Sequence, residues 1–286
     1  MTIPESIFIY HGNCSDGTAA AWAVWSKFGD SVSYYEAHYG GPLPDIYKKN
    51  VVFLDFCPKR DVLKVLCQYA ETVTVLDHHK SALDDIWDLP GTISDLDISK
   101  STVYNSGAMI AWRTYHPTKK PPLLTQYVQD RDLWRFELEN SQEINTALYS
   151  YPRDMIMYDE LNKRLSTKKG RNELVKEGSA IIRYKTDIID SIIKASARVV
   201  EFEGFSVPFI DCPGMLVSDL GSEMLSGNRG EWPFVLMYHD TDKGRSFSLR
   251  ARGQVDVSEL AFKHGGGGHP NAAGFRVDKK HLLAQL

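Results

Sequence analysis

The chain opens on a change of hydrophobic period. Residues 6–10 (SIFIY) form a short apolar run of strand type. After the polar stretch HGNCSDG, Ala21, Val24, Trp25 and Phe28 recur at helical spacing from Asp16 until Gly29 ends the pattern. Further strands are predicted over 31–37 (SVSYYEA), 51–55 (VVFLD) and 73–76 (VTVL). Between the last two, Pro58 opens a helix with Val62, Val65, Leu66 and Tyr69 as its apolar face. Strand and helix alternating over some 80 residues predict an α/β fold built on a doubly wound parallel sheet.

The later pattern is more helical. Residues 101–116 place Ala108, Ala111, Trp112 and Tyr115 on one face, with Ser106 as N-cap. Residues 123–136 begin as a helix and set Asp130 and Asp132 around Arg131. The longest helical pattern, 171–197, carries Leu174, Ile181, Ile188 and Ile192 near heptad spacing and reads as a connector. Its seam also offers a face to a second copy, so a homodimer is an open expectation. Beyond it, strands are predicted over 205–210, 233–239 and 245–251, and helices over 216–226 and 256–264. The expected organisation is a catalytic domain over 1–155, a helical linker over 156–198 and a smaller C-terminal α/β domain over 199–286.

Composition narrows the functional classes. With 43% hydrophobic residues the chain can bury an ample core, and a net charge of −4 gives no global basic field for long duplex DNA. Four scattered cysteines without a CxxC pair read as reduced thiols. No apolar run reaches the roughly 18–20 residues that span a bilayer, and no signal-peptide pattern opens the chain. A soluble, cytoplasmic protein with no membrane partner is expected.

Chemistry gathers at the strand ends. In open α/β sheets the ligand crevice lies outside the carboxyl ends of the strands. His11 and Asp16 follow the first predicted strand, Asp55 ends the third, and Asp77, His78 and His79 follow the fourth. Any one of these is as easily an incidental turn. Three together deliver acids and imidazoles, good metal and phosphate ligands, to one sheet edge. Asp130 and Asp132 taken alone fit a surface ion-pair cluster. Near the end, His264-Gly-Gly-Gly-Gly-His269 carries four glycines, which are expected not to sit inside a helix or strand. Gly266, Gly267 and Gly268 with His269 read as a backbone nest for an anion rather than a linker. Arg250 and Arg252 alternate on a predicted strand and so share a face.

The run VLDHHK is similar to the motif that names the DHH phosphoesterases, and GGGGHPNAAGF resembles the hallmark of their associated C-terminal domain. HGNCSDG, the acid of LDF and the acids of VQDRDLW fall in the family's order, so the resemblance covers nearly the whole chain. It implies two Mn²⁺ (or Mg²⁺) ions. Asp55 would bridge them, with Asp16, His78 and Asp130 on one ion and His11 with an acid of the first motif on the other. Asp77 would orient a histidine, and His79 would face the substrate phosphate or leaving group. Arg250, Arg252, Gly266, Gly267, Gly268 and His269 would hold the substrate away from the scissile bond. The implied function is a phosphodiesterase that hydrolyses short oligonucleotides to nucleoside monophosphates by metal-activated water, of the oligoribonuclease and exopolyphosphatase-related group. The alternatives are another small substrate (a cyclic dinucleotide, adenosine 3′,5′-bisphosphate or polyphosphate) or a nucleotide-binding module whose hydrolytic site has decayed. One departure stands out. Cys14 occupies the place where many members carry the first acid, so thiolate ligand and small packed thiol are both open, and the second ion with them.

Overall fold

The computed structural model describes residues 5–285, so the outer limits of the two expected domains, residues 1 and 286, lie outside the described residues. The chain divides into two compact units at Ile182 and Arg183. Of the stretch 156–198 expected to link them, residues up to 182 belong to the first unit and those from 183 to the second.

The first unit is built on strands β1 (Ser6–His11), β2 (Ser33–Ala37), β3 (Asn50–Leu54), β4 (Thr72–Leu76) and β5 (Leu96–Asp97). They run parallel in the order β2-β1-β3-β4-β5, with Ile9 beside Tyr35 and Phe53, and Phe53 beside Val75. A parallel sheet needs cover on both faces, which is why its strands read as nearly unbroken apolar runs. On one face Phe8, Val52, Leu54 and Leu76 pack under helices α1 (Ser15–Phe28), α4 (Gly107–Tyr115) and α5 (Leu123–Asp132). Helices α6 (Ser141–Ser150) and α7 (Met155–Ser166) extend that core through Ile144, Tyr158 and Leu161. The Ser106 N-cap holds, its hydroxyl accepting the Met109 N–H.

The other face is covered by α2 (Arg60–Tyr69) and α3 (Lys80–Ile86) through Leu63 and Ile86. Here the expected face of α2 holds at Leu66, which packs against the sheet, and fails at its other three positions. Leu63 is fully buried, while Val62, Val65 and Tyr69 are about half exposed at 46%, 51% and 54%. Two apolar stripes compete on this short helix, and the stripe of Leu63, Leu66 and Cys67 meets the sheet.

The long helix α8 (Lys168–Ser196) places Leu174 in the core of the first unit, and Ile189 and Ile193 in that of the second. The second unit is a six-stranded sheet in the order β10-β11-β9-β8-β7-β6. Its strands are β6 (Arg198–Phe202), β7 (Phe205–Asp211), β8 (Phe234–Thr241), β9 (Gly244–Ala251), β10 (Gly267–His269) and β11 (Ala272–Val277). Only β7 and β8 pair in parallel. Helix α10 (Val257–Lys263) covers one face, over Phe209, Phe247 and Phe275, and α9 (Val217–Met224) covers the other, over Val235 and Met237. The fold class is thus α/β, with a parallel sheet followed by a smaller mixed-sheet unit.

Candidate metal centre

The strand order reverses between β1 and β3, and such a switch point opens a crevice at the carboxyl ends of the strands. His11 ends β1, and Asp55 is the first residue beyond β3. Asp55 sits at φ 52°, a left-handed conformation that aspartate tolerates better than most side chains. Its two carboxylate oxygens point to different neighbours. Oδ1 lies 3.2 Å from His78 Nε2, whereas Oδ2 lies 3.5 Å from His11 Nδ1 and 3.5 Å from Cys14 Sγ.

Around His78 a group of acids closes in. Its Nε2 is 3.7 Å from Asp16 Oδ2 and 3.4 Å from Asp132 Oδ2. Asp16, in the first turn of α1, is held by α4, because its carboxylate accepts the N–H groups of Gly107 and Ala108. The approach needs glycine at 107: a Cβ there would stand 2.5 Å from Asp55 Cβ. Glycine at 17 serves the same purpose, since a Cβ there would meet the His11 carbonyl oxygen at 2.2 Å.

Asp77, fully buried, is turned back on its own loop. Its Oδ1 accepts the His78 N–H at 2.7 Å and faces His79 Nδ1 at 2.7 Å, which sets the plane of the His79 ring. This suits the orienting part expected of Asp77.

Burial and mutual repulsion shape the electrostatics of these acids. Burial, reinforced by the neighbouring carboxylates, pushes Asp16 well up and also raises Asp132. Burial would also raise Asp55, but the contacts with His11 and His78 prevail and hold it well below the usual carboxylate range. Burial alone would lower His78, yet Asp55, Asp132 and Asp16 push it up to about 10. Asp55 Oδ1, Asp132 Oδ2 and His11 Nδ1 are buried without a hydrogen bond of ordinary geometry. Three carboxylates converging with imidazoles around so buried a point suit a divalent cation. Donor groups with the necessary spacing include Asp16, His78 and Asp132, and separately His11, Cys14 and Asp55, while Asp55 also groups with Asp77, His78 and His79.

The expected ligand Asp130 does not join them. Its carboxylate accepts the N–H groups of Glu137 and Leu138 and the Ser141 hydroxyl, which pins the loop between α5 and α6. Asp132 stands in its place. Residues two apart on a helix diverge by roughly 200°, so only one of the pair can face the crevice.

Sequence reasoning also missed Gly107 and a rim of cations on tyrosine. The Arg131 guanidinium lies over the Tyr149 ring at 4.1 Å and the Arg153 guanidinium at 5.7 Å. Arg153 donates to Asn13 Oδ1 at 2.6 Å, next to Cys14, and Arg131 is next to Asp132. The signals were weak: a glycine after an N-cap serine, and two arginines among 33 basic residues.

In the second unit Arg250 and Arg252 both turn toward α9, as their spacing implies. Arg250 donates to Ser218 Oγ at 3.1 Å, and burial brings its pKa down to about 10. Arg252 is exposed and donates to Ser222 Oγ at 3.2 Å. The glycine run corrects the expectation that it lies outside regular structure. Gly267 and Gly268 belong to edge strand β10, paired with Gly274 and Ala273 of β11. Their reason is close backbone approach: a Cβ on Gly266 would meet the Gly274 carbonyl oxygen at 2.1 Å, and Gly268 has φ 144°. His269 ends that strand.

Known proteins resemble the chain in a C-terminal domain and in fold. Residues 222–286 match the family model of the DHHA1 domain. The uncharacterized protein R106 of Acanthamoeba polyphaga mimivirus is 28% identical over 288 residues, spanning 94% of this chain and 66% of that protein, so the chain covers just under two thirds of this relative. An exopolyphosphatase-related protein from Bacteroides fragilis superposes with a TM-score of 0.58 at 11% identity, over 99% of this chain and 89% of that one. RecJ from Thermus thermophilus in complex with Mn²⁺ superposes at 0.49 and 14% identity, over 98% of this chain and 50% of that one. The resemblance read from the motifs is borne out to this extent: residues 222–286 match the DHHA1 domain, and the chain shares the fold of the exopolyphosphatase-related protein.

Proposed function

We propose that the chain is a divalent-metal-dependent phosphoesterase, and more narrowly a phosphodiesterase that cuts short oligonucleotides to nucleoside monophosphates. The observation that carries this reading is the division of Asp55, with Oδ1 3.2 Å from His78 Nε2 and Oδ2 3.5 Å from His11 Nδ1. One carboxylate shared between two donor groups is what a two-ion phosphoryl-transfer site needs. The group of Asp16, His78 and Asp132, rich in oxygen, suits Mn²⁺ or Mg²⁺. Bound ions would supply charge stabilisation at the phosphoryl oxygens and a more acidic water.

The chain's own residues do the positioning. The α4 amides hold Asp16, and Asp77 holds the His79 ring, which would meet a phosphate oxygen of the substrate. Arg131 and Arg153, braced on Tyr149, would add positive charge beside the acids. In the second unit, Arg252 and His269, the residue that ends the glycine edge strand, are the proposed contacts for the part of the substrate away from the scissile bond. Arg250 is already engaged with Ser218 and would position α9.

The test is a panel of di- and pentaribonucleotides, a cyclic dinucleotide, adenosine 3′,5′-bisphosphate and polyphosphate, each with Mn²⁺, Mg²⁺ or chelator. Release of nucleoside monophosphates from the short RNAs, abolished by chelator, is expected. Turnover of polyphosphate or the bisphosphate alone would overturn the substrate, and chelator-resistant turnover the chemistry.

A further inference from the structure

The second donor group differs in kind from the first. His11 Nδ1, Cys14 Sγ and an Asp55 oxygen lie within 4.8 Å of one another. Sulfur and imidazole nitrogen each stand 3.5 Å from Asp55 Oδ2. Donors around a tetrahedral ion at ordinary zinc–sulfur and zinc–nitrogen distances stand roughly 3.3–3.5 Å apart. The two separations from Asp55 Oδ2 therefore already match edges of such a site, with the third donor pair within 4.8 Å. His11 Nδ1 is buried with no partner closer than the long approach to Asp55 Oδ2, an oxygen that it shares with Cys14 Sγ on a carboxylate only 1% exposed. Buried polar atoms left so are costly unless something binds them.

We infer that His11, Cys14 and Asp55 form a nitrogen–sulfur–oxygen site that selects Zn²⁺ or Co²⁺, beside an oxygen-rich site that takes Mn²⁺ or Mg²⁺. The inference rests on the two-group reading above and adds which ion each group prefers. Thiolate and imidazole favour borderline ions such as zinc, whereas carboxylate and water favour magnesium and manganese. An acid in place of Cys14 would make both groups alike; the sulfur separates them. On binding, the sulfur–hydrogen bond breaks, the sulfur–metal bond forms, and one proton leaves to solvent. The competing account is a thiol that only donates a hydrogen bond to Asp55, which predicts no sulfur–metal bond.

The test uses the full chain freed of metal by chelator dialysis and titrated with CoCl₂, with bound metal counted by mass spectrometry. A near-ultraviolet sulfur-to-cobalt charge-transfer band saturating at one equivalent is expected. Cys14→Ser, checked for folding by its melting curve, should lose that band yet keep visible cobalt absorption from the Asp16–His78–Asp132 group. Its affinity for one zinc equivalent should fall by more than the roughly 10–100-fold typical of changes behind a ligand. Cys14→Asp should lose the band and bind a second Mn²⁺. Cys57, Cys67 and Cys212 are intact in both variants. A band that survives in Cys14→Ser would overturn the inference, as would cobalt binding at two equivalents with no band. Absence of the band beside Mn²⁺-dependent hydrolysis would refute this site alone. A correct band without phosphoesterase activity would refute the proposed function alone.

Discussion

Asp16 and Gly107 are joined across 91 residues: the carboxylate on α1 accepts the amide that opens α4. One helix start thereby fixes a candidate ligand carried by another, favoured by the positive end of the α4 dipole. There is no room for a side chain at 107, where a Cβ would lie 2.5 Å from Asp55 Cβ and 3.0 Å from Asp16 Oδ2. Gly107→Ala should cost about 1–3 kcal/mol in stability, as overpacking does, and should weaken Mn²⁺ binding. Denaturant unfolding and a Mn²⁺ titration of the refolded variant check both.

Asp130 and Asp132 should separate cleanly. Asp130→Ala removes three accepted hydrogen bonds within the fold. It should lower stability by about 1.5–3 kcal/mol or more. Asp132→Asn removes a charge that burial disfavours, so the metal-free protein should be as stable as before or more so. Its kcat/KM should fall at least 10²-fold (roughly 2.7 kcal/mol). Asp55→Asn should lose more activity than Asp132→Asn, because Asp55 touches both donor groups. Equal stability losses for Asp130→Ala and Asp132→Asn would contradict the assignment.

Metal should stabilise the fold. The acids around His78 repel one another, and a ligand at 100 times its Kd adds about 2.7 kcal/mol. Melting temperature should rise with Mn²⁺, return to the starting value with chelator, and respond little in Asp55→Asn. A melting curve indifferent to metal would argue against a cation at this centre.

His116 supplies a pH dependence apart from the candidate site. It is buried, faces the Ala23 carbonyl oxygen at 2.8 Å, and stacks on Trp112. Burial lowers its pKa, more than the Ala23 contact raises it. The folded state therefore binds this proton less readily than the unfolded chain. The stability it contributes is present above the unfolded value of about 6.5 and is lost as pH falls below it. His78 and His79 act in the other direction in metal-free protein: raised to about 10 and about 9, their contribution is full below about 6.5 and fades through alkaline pH. Wild type should lose more stability than His116→Gln between pH 7 and pH 5.5, measured by urea unfolding. Parallel losses would show that His116 titrates alike in the folded and unfolded states.

Arg252 should govern substrate capture rather than bond cleavage. It is exposed and, among the described residues, tied to Ser222 in the second unit. Arg252→Ala should raise KM for a diribonucleotide by roughly 10–100-fold, the range of one charge-assisted contact. Hydrolysis of a nitrophenyl phosphodiester should be nearly unchanged. With a net charge of −4, rates on RNA of two, five and about twenty nucleotides should gain little from length and depend weakly on salt. A steep salt slope would reveal a basic track on the surface.

Much of this protein was written locally. Apolar runs at residues 6–10, 51–55 and 73–76 had to be strands buried on both faces, and the helices between them had to make the sheet parallel. That alone brings His11, Asp55 and the Asp77–His79 turn to one edge, because every strand of a parallel sheet ends on the same side. What period and motif could not decide were choices between equivalent local options. Val62, Val65 and Tyr69 on α2 make as good a stripe as Leu63, Leu66 and Cys67, and only the sheet selects between them. Asp130 and Asp132 are alike in sequence, but the helix turns them apart, and the amides of the following loop claim Asp130. The glycines of 266–268 were legible as special backbone; that they form a strand edge depends on β11 lying within contact of them. Gly107 is invisible to any local pattern, for its reason is the side chain of a residue 52 positions away. Local spacing determined which groups reach the crevice, and packing between distant elements determined which of them face one another.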